Sequence, residues 1–286
     1  MLNRRVFLTS LTALALSTSV AFAQETLKIA FIPQENPEKL LGDIDVITSW
    51  MGEQLGQPVL GFVTFDHAAA VEALRNGDAD ISFMGALPFV LAEAEMGAEP
   101  LVSEIYRGYP SYAGRIFVRN DSGIDTLADL KGRDIAFADP VSESGYLYPL
   151  DLFVEEGLFE GTRGADNFFG NIFFAGGYQQ AMQAMANGLV DAAGASQYAD
   201  MLLTPNQQAE IKVIGESVQI PSHAVIARPD LDEDIKARFT TMMMSLNSPE
   251  NQHLLTYLYG PDGYVVSDVA AYEGVREKAK KYGLLR

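Results

Sequence analysis

The sequence contains no cysteine, which excludes disulfides, thiolate metal sites and thiol catalysis and leaves packing alone to hold the fold. Basic residues are also scarce: 20 Lys and Arg stand against 38 Asp and Glu, a formal charge of −18. Nucleic acid and anionic lipid are bound through clustered Lys and Arg, so this balance argues against both as partners. Any anion held by this chain needs a local site. No Gly-x-Ser-x-Gly elbow, Walker loop or His-Glu-x-x-His pair occurs, so the chain is read as having no catalytic residues and as not being an enzyme. No cofactor or resident metal is assigned. Beyond the first two dozen residues no apolar run reaches the roughly 20 residues that span a bilayer.

The chain does carry a leader. MLNRRVFLTSLTALALSTSVAFAQE has a basic start, an apolar run from about Leu11 to Ala21, and Ala21-Phe22-Ala23 before Gln24. This pattern predicts a cleaved secretory signal over residues 1–23. Within it, Asn3-Arg4-Arg5-Val6-Phe7-Leu8 resembles the twin-arginine motif, which exports proteins already folded. Cleavage leaves 263 residues and, with Arg4 and Arg5 gone, a charge of −20. A chain of that length suggests about two domains. The expected product is a soluble periplasmic monomer without stable membrane insertion.

Leu27 to Phe31 reads as a buried strand, followed by a helix whose Leu40, Leu41, Ile44, Ile47, Met51 and Leu55 share one face. More informative is a near-repeat about 111 residues apart, Ala73-Leu74-Arg75-Asn76-Gly77-Asp78-Ala79-Asp80 against Ala184-Met185-Ala186-Asn187-Gly188-Leu189-Val190-Asp191. Each copy ends a helical pattern, His67 to Asn76 or Tyr178 to Asn187, with a glycine suited to the left-handed helix stop, and a short strand follows. One recurrence at domain spacing points to two lobes of similar α/β construction. Strands at Ile116 to Val118, Ile135 to Ala138, Ile172 to Ala175, Ile211 to Ile214 and Ala224 to Ala227 alternate with helical segments, predicting largely parallel sheets. Helices at Leu231 to Leu246 and Val269 to Tyr282 close the chain.

Four segments in order, Gly77 to Gly85, Tyr112 to Arg119, Asp125 to Gly132 and Phe137-Ala138-Asp139-Pro140-Val141-Ser142-Glu143-Ser144-Gly145-Tyr146, resemble the periplasmic binding proteins of phosphate, phosphite and phosphonate ABC importers. The resemblance implies a two-lobed type II periplasmic-binding-protein fold, each lobe a mixed sheet flanked by helices with the ligand cleft between them. Lobe 1 would comprise 24–117 and 226–286, lobe 2 118–225, with Arg115 to Arg119 and Ala224 to Arg228 as hinge strands. The function implied is capture of a small oxyanion or oxyacid and delivery to an ABC permease; the alternative is a sensor that docks on a histidine kinase and binds a neutral metalloid oxyacid or a metal.

The residues Gln34, His67, Met84, Gly85, Tyr112, Ser142, Glu143, Ser144, Gly145 and His223 are the candidate ligand contacts. After the Asp139-Pro140 turn, Ser142 and Ser144 can offer hydroxyls and N–H groups at a helix start, which favours an anion. Where the family reads Ser-Thr-Ser, this chain has Ser142-Glu143-Ser144. Two placements of Glu143 are open: outward, where it favours the helix terminus, or into the cleft, where it opposes a bound anion. Other departures accompany it. Asp66-His67 stands where relatives often carry a tyrosine, with Asp66 also suited as an N-cap; the family's second-lobe histidine is missing at Gly176-Gly177-Tyr178; and His223 stands where aminophosphonate binders place an acid. His67, Met84, Glu143 and His223 would also suit a metal or metalloid, though without local metal-ligand spacing.

Overall fold

The computed structural model describes residues 25–33 and 37–285. The expected leader and Gln34 lie outside the described residues. Two β-sheets form the framework, each covered by helices. Edge to edge, the first runs Gly263–Val266, Glu99–Ile105, Ala224–Ala227, Ile81–Met84, Leu27–Phe31, Val59–Val63. The second runs Ile211–Glu216, Gly114–Arg119, Ala192–Ser196, Ile135–Phe137, Ile172–Phe174.

Parallel pairing is confined to one half of each sheet. Leu27–Phe31 pairs parallel with both neighbours, as does Ile135–Phe137, whereas the remaining pairs are antiparallel. The sheets are therefore mixed rather than largely parallel, because the chain re-enters each sheet from the other one and returns in the opposite direction. The strands expected as hinges each lie wholly within one sheet, Gly114–Arg119 in the second and Ala224–Ala227 in the first. Between the sheets the chain passes through a separate two-stranded ribbon, Ser111–Tyr112 antiparallel to Ile220–Pro221.

The repeated helix-and-strand unit folds twice in the same way. Asp66 caps the helix His67–Asn76, its side chain accepting from Ala69 N–H at 2.7 Å, and Gly77 ends it with φ 74°. In the second copy the helix Tyr178–Ala186 is followed by Gly188, also at φ 74°. After each glycine an N–H turns back to the last helical turn, Asp78 to Ala73 C=O at 2.9 Å and Leu189 to Ala184 C=O at 2.8 Å. The aspartates that close the repeat then do equivalent work. Asp80 accepts from Lys28 N–H at 2.7 Å and Asp191 from Asp134 N–H at 3.0 Å, so each pins the start of the strand next to its own.

Apolar positions largely follow the expected periodicity. In the helix Pro37–Leu55, Leu40, Ile44, Ile47, Met51 and Leu55 are buried, but Leu41 is 54% exposed because it falls one step off the stripe. The closing helices span Glu233–Ser245 and Glu273–Lys281, the latter preceded by a 3-10 turn. Val275 and Ala279 of the last helix pack into the first-lobe core, which also takes in Leu147 and Tyr148 from the second-lobe side. From that helix Lys278, Lys281 and Tyr282 donate to the buried carboxylate of Asp151. Among the described residues no helix is long and apolar enough to cross a membrane.

Because Gly77 and Gly188 occupy a backbone region that costs other residues roughly 1–2 kcal/mol, Gly77→Ala and Gly188→Ala are each expected to lower unfolding free energy by about 1 kcal/mol in denaturant titrations. A Cβ at Gly77 meets nothing within 4 Å and one at Gly188 meets only the Arg119 guanidinium at 3.5 Å, so the cost is carried by the backbone. Unchanged stability in both would show that the helix stops are not conformationally demanding.

Candidate functional site

Two helix starts face each other across the space between the sheets. On the first-lobe side, strand Ile81–Met84 runs into Gly85, which begins the helix Ala86–Met96 without a capping side chain. On the other side, strand Ile135–Phe137 leads through a turn in which Asp139 Oδ1 accepts from Val141 N–H at 2.7 Å. Ser142 then caps a π-helical turn, Glu143–Leu147, that continues into the helix Tyr148–Glu155. Such irregular helix starts re-aim side chains and recur at functional sites.

Here the re-aimed side chain is Glu143. It points inward, is fully buried, and supplies the acceptor that the Ala86–Met96 helix start lacks. Its Oε2 accepts from Leu87 N–H at 3.2 Å, while Oε1 accepts from the Tyr112 hydroxyl at 2.6 Å. His223 Nε2 lies 3.4 Å from Oε1. A Cβ at position 85 would stand 2.4 Å from both carboxylate oxygens, so only glycine admits this approach. Burial by itself would push the Glu143 pKa up. The contact and charge of His223, the Tyr112 hydroxyl and His67 outweigh it and hold the group at about 2.

His223 is flanked by a second acid, with Nδ1 3.8 Å from Glu104 Oε2, and the Tyr112 ring meets it edge-on at 5.6 Å. Burial lowers its pKa, but Glu143 and Glu104 raise it further, so the net shift is upward. Burial dominates at Glu104 and raises its pKa to about 7 against the pull of His223 and Tyr106. His67 is buried at the start of its helix and has its pKa lowered by that burial, with Asp139 and Glu143 acting in opposition.

The other candidates divide. Tyr112, Glu143, His223 and Gly85 meet at one point, and Ser144 and Gly145 stand beside it. The serine hydroxyls expected to face a ligand are used inside the protein: Ser142 Oγ accepts from Gly145 N–H at 3.0 Å, and Ser144 Oγ shares a hydrogen bond of 2.8 Å with the Tyr178 hydroxyl. Gly145 makes room for this arrangement, since a Cβ there would meet Ser142 Oγ at 2.8 Å and the Tyr178 ring at 3.1 Å. Met84 is fully buried in the cluster that also holds Tyr112. No group of three or more His, Asp or Glu side chains among the described residues is arranged to hold a metal.

Beside this junction lies a cavity of about 390 Å³ with walls from both sheets and from the ribbon. Its lining includes Glu104, Tyr178, Tyr198, Ser222 and Tyr259, none of which the sequence pattern had singled out. A signal was present in the tyrosines of Tyr106-Arg107-Gly108-Tyr109-Pro110-Ser111-Tyr112, unusually dense for a loop.

The model of the family described as "ABC transporter, phosphonate, periplasmic substrate-binding protein" matches residues 29–272. The chain belongs to this family. Among curated relatives it is similar to a phosphate-import protein of Mycolicibacterium smegmatis, 33% identical over 62% of this chain and 56% of that one, so the match spans little more than half of that relative. It is also similar to the phosphonates-binding periplasmic protein of Escherichia coli, 28% identical over 87% of this chain and 76% of that one. Among solved structures, a binding-protein component of an ABC phosphonate transporter from Pseudomonas aeruginosa superposes with a TM-score of 0.79 at 22% identity, covering 89% of this chain and 85% of that one. This family fold is the two-lobed periplasmic binding protein read from the sequence.

The buried charges predict a sign for pH dependence. Glu104, at about 7 in the fold against an ordinary 4.5, keeps a proton that the unfolded chain releases, so stability is lost as pH rises from about 4.5 to about 7. His223, raised above 6.5, contributes stability that is complete below 6.5 and lost as pH rises through its folded value. Glu143 contributes in the opposite sense, present above 4.5 and lost only as pH falls toward about 2. His67, lowered below 6.5, acts against Glu104 and His223, its contribution being lost as pH falls, so the test is the difference between proteins: the change in thermal midpoint from pH 5 to 8 is expected to be less negative in Glu104→Gln than in wild type. An identical pH profile in the two proteins would contradict the arrangement.

Proposed function

We propose that the chain is the extracytoplasmic receptor of an ABC importer: it closes its two lobes on a small solute and presents the closed form to the permease. The observation that carries this reading is the cavity between two helix-covered sheets, with walls from both and a ribbon at its side through which the chain crosses. Family membership supports it. The sequence expectation is lobes of 24–117 with 226–286 and of 118–225; since Gly114–Arg119 belongs to the second sheet and Ala224–Ala227 to the first, our reading moves both crossings to the ribbon of Ser111–Tyr112 and Ile220–Pro221. No observation favours the sensory alternative.

The small oxyacid expected from the sequence comes to this chain through relatives named for phosphate import and phosphonate binding. A seat for such a group is the start of the Ala86–Met96 helix, where an N–H, a tyrosine hydroxyl and a histidine converge on one point. Glu143 holds that seat here. An oxyacid therefore binds in competition with a carboxylate of the protein itself, and two unit charges about 4 Å apart oppose each other by on the order of 4 kcal/mol at an effective dielectric of 20.

Calorimetric titration of the mature chain with phosphite and methylphosphonate tests this. Wild type is expected to bind weakly, and Glu143→Thr at least about tenfold more tightly, well within what that repulsion allows. Equal affinities in the two proteins would remove Glu143 as the competitor.

A further inference from the structure

Several observations at the cavity agree on one kind of occupant. Glu104 is 1% exposed and lines the cavity; its Oε2 accepts no hydrogen bond, with His223 Nδ1 3.8 Å away. A buried carboxylate oxygen held only at that distance is stabilised further by a positive or hydrogen-bonding group entering the cavity. Ser222 Oγ, also buried and lining the cavity, is likewise without a partner. The remaining walls are rich in aromatic faces: Tyr106, Tyr112, Tyr178, Tyr198 and Tyr259 all contribute. Tyrosine rings present negative π faces, which attract cations, above all cations whose charge is spread over carbon.

The protein already places a cation of its own at this wall. Arg107 reaches over the Tyr198 ring, its Cζ 5.1 Å from the centroid. It does so from a tight turn, Tyr106 to Tyr109, closed by N–H to C=O bonds of 2.9 and 3.0 Å in both directions, with positive φ at both central residues, 50° at Arg107 and 82° at Gly108. Glycine or asparagine is the ordinary choice at the first of these positions, so an arginine there is backbone strain carried at the cavity mouth.

We infer that this cavity is a seat for an organic ammonium group, with Glu104 as its counter-ion and the tyrosine faces, Tyr198 foremost, as its walls. The inference rests on the receptor reading and names the solute class: a small organic monocation, taken in preference to a phosphorus oxyanion because Glu143 already fills the anion seat. The volume of about 390 Å³ lies within the range of small-molecule sites, about 300 to 1,000 Å³. Arg107 guards the mouth as an internal competitor for the same aromatic face.

Thermal-shift and calorimetric titrations of the mature chain with tetramethylammonium and butylammonium chlorides test the assignment, with sodium chloride, tert-butanol as the neutral match, and methylphosphonate as comparators. The ammonium probes are expected to raise the melting temperature in a concentration-dependent way that salt and tert-butanol do not reproduce. Glu104→Gln should weaken ammonium binding at least about tenfold, the scale of one lost charge-assisted contact. Tyr198→Leu, on the cavity wall, provides a second weakening variant should Glu104→Gln fold poorly. Arg107→Ala should tighten binding by freeing the ring. Methylphosphonate binding to wild type with no response to either ammonium overturns the inference and leaves the receptor reading standing. Ammonium binding undiminished in both Glu104→Gln and Tyr198→Leu overturns the assignment of this cavity. Silence toward every probe overturns the inference and the receptor reading together.

Discussion

A carboxylate removed from water must find donors inside the protein, and the junction between the two lobes is organised around meeting that demand for Glu143. Its charge is balanced by an N–H from the first-lobe helix start, the Tyr112 hydroxyl at the ribbon, and His223 on the far side of the ribbon. These donors come from both lobes and the crossover, so one side chain fixes how the parts meet. Gly85 is part of the same interaction, since any larger residue would collide with the carboxylate. Removing one partner of a buried charged contact costs far more than the pair contributes in isolation, which makes the set interdependent.

The frame that delivers these groups is built twice from one local solution. In each lobe a glycine stops a helix, the next residues turn back onto it, and the aspartate three positions after the glycine ties down the neighbouring strand through an N–H at its start. The strands so pinned end at the cleft, as open α/β sheets present their ligand-facing loops at the carboxyl ends of strands. The residues near 33, 85 and 138 thus owe their position to backbone hydrogen bonds formed at the opposite ends of the same strands.

Where local chemistry decides structure, the sequence is legible. The helix His67–Asn76, its Asp66 cap, the stops at Gly77 and Gly188 and the strand Ala224–Ala227 follow from signals a few residues long. Tertiary decisions are less so. Glu143 at a helix start looks the same whether it faces solvent or cleft, and only Gly85, 58 residues earlier in the chain, settles the matter. Nothing local announces that the Ser144 hydroxyl beside it will meet Tyr178. Strand Glu99–Ile105 escapes periodicity because Pro100 and the buried Glu104 interrupt its apolar pattern, and helix Ala86–Met96 is masked by Pro88 in its first turn. Leu41 shows the same limit on a smaller scale, since a six-residue stripe drawn on a helix can include one member that lies a step off its face.

The contact of Asp151 with the last helix bears on motion. That helix packs on the first lobe, yet its lysines and Tyr282 grip a carboxylate of the second. Together with the ribbon and the Glu143 junction, it ties the two sheets to each other at three separate places.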